Sequence, residues 1–157
     1  MGFSGPGVYA IVPYQAPGLS MNSWGGHKEA GAVVRTYDRG DRDRPTPNTL
    51  WQVAQVAGSG DNAEYLIINV LTGYFLTATG DKTITSTPQI SPSDASCRWF
   101  IKSSRTNGYD VFVINNKLNG RGQLNVRGSA TQSGTDIISY PIENTDNTKW
   151  YFDPFTG

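Results

Sequence analysis

The 157-residue chain holds a single histidine, His27, and a single cysteine, Cys97. Nucleophilic catalysis of the Ser–His or Cys–His kind would have to use that one imidazole. Cys97 stands two residues before Trp99, a setting that predicts a small packed side chain rather than an activated thiol. The carboxylates closest in sequence, Asp38, Asp41 and Asp43, share one stretch with Arg35, Arg39, Arg42 and Arg44. Taken alone, such a mixed cluster reads as a solvated loop. No His/Cys set has zinc spacing, no glycine-rich loop could cradle a phosphate, and no pair of glutamates has a protected setting. The residues therefore predict no enzyme, no metal and no cofactor. The remaining chemistry is hydrogen bonding and stacking. Asn48 and Asn147 each stand three residues before a tryptophan, and Tyr37 and Tyr140 close two similar apolar runs. Either asparagine could simply cap a turn through an Asx bond.

Composition narrows the partners. Lys plus Arg and Asp plus Glu both number 13, so the net charge is zero. That balance gives no attraction to nucleic acid or to an anionic membrane. No run approaches the roughly 20 apolar residues of a membrane-spanning helix, so no membrane insertion is expected. One cysteine permits no intrachain disulfide. The N-terminus, Met1 to Gly7, lacks a basic stretch followed by an apolar run, and the expected placement is cytoplasmic.

The elements that must position these side chains are short. Glycine (18) and proline (9) punctuate β-branched and aromatic runs, and amphipathic helical periodicity is absent, which predicts an all-β domain. An internal repeat sharpens this. Trp51, Trp99 and Trp150 lie about 50 residues apart, each followed by a strand-like pattern such as Trp99-Phe100-Ile101. A strand opens each third (Val8–Val12, Tyr65–Asn69, Val111–Asn115), and a second follows a glycine (Gly18, Gly73, Gly122). A third precedes each tryptophan loop, where Gly31–Tyr37 aligns with Gly134–Tyr140, and Lys82–Thr87 stands in the middle. Three four-stranded copies cannot each bury an apolar face alone, but together they can close a barrel and remove most open edges. The expected architecture is a β-trefoil forming one domain over residues 1–157, with repeats at about 1–56, 57–104 and 105–157.

The tryptophan landmarks resemble those of the ricin-B lectin family, whose repeats end in a Gln-x-Trp-like motif, often with Asn three residues before the Trp. The endings here are Asn48-Thr49-Leu50-Trp51, Ser96-Cys97-Arg98-Trp99 and Asn147-Thr148-Lys149-Trp150. Thr49, Cys97 and Thr148 replace the glutamine. Over nearly its full length the chain is similar to the small agglutinins of ascomycete fungi. Ile11–Ser20, Gly31–Tyr37, Arg39-Gly40-Asp41, Tyr65–Val70 with Gly73–Thr79, and Lys149–Asp153 carry that similarity. The resemblance implies a β-trefoil, a homodimer, and binding of glycans ending in galactose or N-acetylgalactosamine through one dominant site in the first repeat.

A sugar site needs convergent donors and acceptors, because a buried hydroxyl left unpaired costs about 1–3 kcal/mol. It also needs an apolar, commonly aromatic, platform. Mapped onto the first repeat, the family pattern selects Ser20, Tyr37, Arg39, Gly40, Asp41 and Asn48. Gly25 and Gly26 would let backbone amides approach, and Trp24, outside the tryptophan period, could stack on the ring. The family carries an acid where Ser20 falls, and Asp41 could supply that acceptor. The middle repeat offers Leu76, Thr87 and Ser96 and is expected to be structural only. The third offers Asn125, Tyr140 and Asn147, a weaker second site narrowed by Pro141.

One rival keeps the fold and changes the function. Trefoil protease inhibitors act through exposed loops, and Arg42-Asp43-Arg44-Pro45 could offer an arginine to a trypsin-like pocket. Arg39-Gly40-Asp41 also spells an integrin-recognition tripeptide, which reads here as part of the sugar-site loop.

Overall fold

A computed structural model describes residues 2–24, 31–80, 82–88, 91 and 93–157. Its strands fall in fours. The first set is β1 (Gly7–Pro13), β2 (Leu19–Ser23), β3 (Ala32–Asp38) and β4 (Trp51–Ala57). The second is β5 (Glu64–Asn69), β6 (Phe75–Gly80), β7 (Thr83–Thr87) and β8 (Trp99–Ser103). The third is β9 (Phe112–Asn116), β10 (Gln123–Val126), β11 (Ile137–Tyr140) and β12 (Trp150–Pro154). The first and last strands of each set form a closed antiparallel ring, β12–β1–β4–β5–β8–β9 and back to β12. The middle pairs β2–β3, β6–β7 and β10–β11 are hairpins. They meet one another through β3–β7 pairing and an Arg35–Asp136 bridge. This is the expected β-trefoil. Among the described residues no helix is long and apolar enough to cross a membrane.

The period of the tryptophans is a packing period. Trp51, Trp99 and Trp150 open the last barrel strand of each set and are fully buried. They pack with Tyr9, Ile11, Ile67, Leu76, Ile114, Leu124 and Phe152. Burying each such side chain is worth about 1.5–3 kcal/mol, and an indole also carries an N–H that must be met. Trp51 Nε1 donates to the Met21 carbonyl at 3.0 Å and Trp99 Nε1 to the Leu76 carbonyl at 2.9 Å, which ties each barrel strand to its own hairpin. The Trp150 indole keeps the position without such a bond.

A one-turn 3₁₀ segment precedes each tryptophan: Pro47–Thr49, Ala95–Cys97 and Asp146–Thr148. Here the missing glutamine finds its explanation. Thr49 Oγ1 donates to the Thr46 carbonyl and Thr148 Oγ1 to the Thr145 carbonyl, both at 2.7 Å, and Cys97 Sγ donates to the Asp94 carbonyl at 3.2 Å. A short side chain bonding back three residues closes the turn. The residue before it, Asn48, Ser96 or Asn147, is thereby held against the neighbouring hairpin. One glycine is obligatory for the hairpins: a Cβ on Gly122, whose φ is +77°, would lie 2.1 Å from the Tyr140 carbonyl oxygen.

Candidate functional site

The pairing registers show which positions correspond. Ser20 lies opposite Tyr37, Phe75 opposite Thr87 and Gln123 opposite Tyr140. Two residues further on, Asn22, Thr77 and Asn125 therefore occupy equivalent places. The polar residue of the second strand in the first repeat is Asn22, not Ser20. Ser20 is buried, 1% exposed, and its hydroxyl has no partner. The pairing also corrects the middle repeat, by one position: Leu76 is core and Thr77 takes the polar place.

Asn22, Trp24, Tyr37, Thr46 and Asn48 line an open cleft of about 420 Å³. β2 supplies Asn22, the end of β3 supplies Tyr37, and the 3₁₀ turn supplies Asn48. Asn48 Nδ2 donates to Asn22 Oδ1 at 3.3 Å and to the Ser23 carbonyl at 3.4 Å. Asn69 Nδ2, from β5, donates to the Asn48 carbonyl at 3.0 Å and fixes the turn from behind. Asn48 Oδ1 and the Asn22 amide N–H groups have no other partner among the described residues. Among the described residues, one acceptor and a neighbouring donor thus stand free in the cleft. Tyr37, 47% exposed, and half-buried Trp24 meet edge to face at 5.5 Å and form an aromatic corner.

The third repeat builds part of that corner. The Arg35 guanidinium lies 4.9 Å from the Trp24 ring, and Arg35 Nε donates to Asp136 Oδ1 at 2.7 Å. The loop before β11 is fastened to β3 by Gly134 N–H to the Thr36 carbonyl at 2.7 Å and Thr36 N–H to the Thr135 carbonyl at 2.8 Å. A Cβ on Gly134 would lie 3.7 Å from Trp24 Cη2.

Arg39, Gly40 and Asp41 stand away from this cleft. Arg39 Nη2 donates to Asp153 Oδ2 at 2.7 Å, and Arg39 lines a different cavity beside β12. Gly40 takes a φ of +65° in the turn between them. Asp41 Oδ1 accepts the Asp43 N–H at 2.9 Å and so caps its own loop. Gly25, Gly26 and His27 lie outside the described residues. The Arg39-Gly40-Asp41 tripeptide is thus ion-paired and curled. The Arg42–Pro45 stretch, with Arg44 N–H bonded to the Asp41 carbonyl at 3.3 Å, is a turn and not the extended strand that fits a protease cleft.

In the third repeat Asn125 and Asn147 come together, and Tyr140 lies across the hairpin from Gln123. Asn147 Nδ2 donates to Asn125 Oδ1 and to the Val126 carbonyl, both at 3.1 Å. Here the corresponding acceptor and donor atoms each have a partner. Thr145 Oγ1 lies 2.6 Å from Asn147 Oδ1, and Asn125 Nδ2 donates to Glu143 Oε1 at 3.4 Å. The Tyr140 ring carries Lys82 Nζ at 5.5 Å. In the middle repeat Thr77 and Thr87 hydroxyls lie 2.7 Å apart, and Ser96 Oγ donates to Asp94 Oδ1 at 2.7 Å. Burial, with the Asp94 carboxylate beside it, pushes the Cys97 thiol up, which opposes its use as a nucleophile.

Sequence reasoning missed Asn22, Thr46, Asn69, Asp136 and Glu143. Asn22 was recoverable by aligning the apolar residues Met21, Leu76 and Leu124 instead of counting from the preceding glycines. Nothing local in the sequence marks Asp136 or Glu143, which act across repeats or across a loop.

A ring of three tryptophan-anchored repeats with an Asn–Asn pair beneath an aromatic corner is the architecture of a carbohydrate-binding trefoil. The sequence profile of the ricin-type β-trefoil lectin domain-like family matches residues 47–140. The chain belongs to that family and is a carbohydrate-binding lectin, not an enzyme. It is similar to the agglutinin of Sclerotinia sclerotiorum, with 61% identity over 153 residues, covering 98% of this chain and 99% of that one. Two solved structures share the fold at low identity. The Rhizoctonia solani agglutinin superposes with a TM-score of 0.78 at 18% identity, covering 98% of each chain. The C-half of an earthworm R-type lectin in complex with GalNAc gives 0.69 at 17% identity, covering 96% of this chain and all of that one.

Proposed function

We propose that the first-repeat cleft binds terminal galactose or N-acetylgalactosamine and is the dominant sugar site of the chain. The observation that carries this reading is the hydrogen-bonding capacity of the Asn22–Asn48 pair that the described residues leave unspent in the cleft with Trp24 and Tyr37. Asn48 Oδ1 can accept from one sugar hydroxyl while the Asn22 amide donates to the next. Two such groups bracketing adjacent hydroxyls distinguish an axial from an equatorial position, because the wrong epimer leaves one of them unpaired. The aromatic corner takes the apolar C–H face. The earthworm R-type lectin that shares the fold, solved in complex with GalNAc, supports the choice of sugar. Haemagglutination inhibition tests it: galactose and N-acetylgalactosamine should inhibit, and glucose and mannose should not. Equal inhibition by mannose would overturn the specificity.

The chain is further proposed to act as a homodimer. One dominant site per chain cannot join two cells, whereas closed twofold pairing holds two sites apart and raises apparent affinity by roughly 10²–10⁴. Light scattering beside the agglutination assay tests it. A monomeric mass with agglutination intact would refute it.

A further inference from the structure

A second concave surface lies beside β12, between the Arg39–Arg42 loop and the hairpin over residues 104–111. At the hairpin tip Thr106 and Tyr109 exchange both backbone hydrogen bonds, at 3.2 and 2.8 Å. The two residues between them, Asn107 and Gly108, have φ values of 51° and 81°. Positive φ at both central positions is the tight hairpin geometry that an Asn-Gly pair favours. The tip is tied down twice more. Asn107 Nδ2 donates to the Tyr14 hydroxyl at 3.0 Å, and Arg105 pairs with Asp110 at 2.6 Å.

This preorganised tip holds Tyr109 out of the core, 55% exposed, with its ring 6.2 Å from both Tyr14 and Tyr151. Tyr14 and Tyr151 are themselves 5.8 Å apart. Three tyrosines from three separate segments thus converge. Beneath them runs the Arg39–Asp153 ion pair, whose side chains are only 11% and 20% exposed. Nη2 and Oδ2 are engaged with each other. The other N–H groups of the Arg39 guanidinium and Asp153 Oδ1 have no partner among the described residues. Arg42 stands at the mouth with no carboxylate in ion-pair contact among the described residues. The cavity measures about 250 Å³, room for one hexose ring.

We propose that this cleft is a second pyranose-binding site, separate from the three positions related by the trefoil's pseudo-threefold axis. A pyranose has an apolar C–H face and a rim of hydroxyls, each both donor and acceptor. The tyrosine wall takes the first. For the second, Asp153 Oδ1 accepts from one hydroxyl while Arg39 and Arg42 donate to its neighbours. A purely apolar ligand would strip water from the ion pair and return nothing. An anion is less favoured than a neutral ring, because Asp153 already offsets Arg39, and Asp41 and Asp43 flank Arg42. The inference rests on the lectin reading for its ligand class, but not on the Asn22–Asn48 cleft. A single chain would then carry two sugar sites on different faces.

The test is a titration of the full chain, labelled for amide NMR, with methyl β-galactoside, glucose and mannose at millimolar concentration. At least one of these sugars should shift the amides around Tyr109, Tyr151 and Asp153. The shifts should persist in Asn48→Ala, weaken tenfold or more in Tyr109→Ala, and survive in Tyr109→Phe, which keeps the ring. Three outcomes would overturn the proposal: no shifts with any of the three sugars; shifts that vanish in Asn48→Ala, and so are relayed from the first cleft; or Tyr109→Ala turning a dimer into a monomer while sugar leaves these amides unmoved. The last would make the tyrosines a contact between copies. If instead Asn48→Ala leaves galactose binding at its own cleft intact, the first-repeat reading fails by itself.

Discussion

Asn48 and Asn147 do the same structural work and are left with different chemistry. Each sits at the centre of a 3₁₀ turn three residues before a buried tryptophan. Each reaches across to an asparagine of the neighbouring hairpin, Asn22 or Asn125, and to the next carbonyl. In the first repeat that leaves Asn48 Oδ1 and the Asn22 amide without a further partner among the described residues, beside Trp24 and Tyr37. In the third, Thr145 and Glu143 use the matching atoms, and Arg127 stands where the register puts Trp24. The comparison teaches that the trefoil repeat provides a position, and that the hydrogen-bonding capacity left over there decides whether the position can take a ligand.

Removing that capacity should have the largest effect. Asn48→Ala deletes one sugar contact and releases the Asn22 carbonyl oxygen, so galactose binding by titration calorimetry should fall at least tenfold, on the scale of about 1–3 kcal/mol per unpaired group. Asn147→Ala should leave that binding within twofold. Equal losses from the two would erase the distinction between the repeats.

A control of similar size should act on stability alone. Glu64, on β5, accepts from Lys117 Nζ at 2.8 Å and from Arg98 Nη1 at 3.0 Å, and joins the second and third repeats. The hydrogen bonds from Lys117 and then Arg98 hold its carboxyl below its ordinary value near 4.5. A carboxylate whose folded pKa is depressed stabilises the fold above its unfolded pKa, and that contribution is lost as pH falls through the folded value. Glu64→Gln should therefore cost about 1.5–3 kcal/mol at neutral pH. The gap in thermal midpoint from the unsubstituted chain should narrow as the pH drops below 4.5. Galactose affinity at neutral pH should not change. A gap that widens in acid would contradict the sign.

Asp136→Asn should sharpen the comparison more gently. It weakens the hold on Arg35 and so loosens the Trp24 wall, lowering galactose affinity roughly threefold, about 0.6 kcal/mol. Trp24 fluorescence should respond less to sugar while the thermal midpoint barely moves, as expected of a half-exposed pair. An unchanged affinity would detach the third repeat from the site.

The smallest effect is a gain. Thr145→Ala with Glu143→Ala, placed in the Asn48→Ala background, frees Asn147 Oδ1 and the Asn125 amide. Amide shifts around Asn147 should then report weak, millimolar galactose binding. Their absence would mean that the aromatic corner, missing there, matters as much as the asparagines.

Much of this was legible without coordinates. The three tryptophans, the glycine before each second strand and the matched Gly31–Tyr37 and Gly134–Tyr140 runs determine the trefoil, because a repeated core needs the same large apolar side chain at the same interval. Asn48, Trp24, Tyr37, Asn125, Tyr140 and Asn147 could be named for the same reason: they ride on the repeat. The tertiary structure alone decided the rest. It moved the hairpin's polar residue from Ser20 to Asn22, since the cross-strand pairs and not the distance from the preceding glycine decide which positions correspond, and they match Asn22 with Thr77 and Asn125 while Ser20 is buried. It carried Arg39 to Asp153, far away in sequence, because a charge half out of water goes to the nearest opposite charge. It also separated the free valences of Asn48 from the occupied ones of Asn147. Hydrogen-bond saturation belongs to the whole set of neighbours, and sequence spacing does not record which of them have already been used.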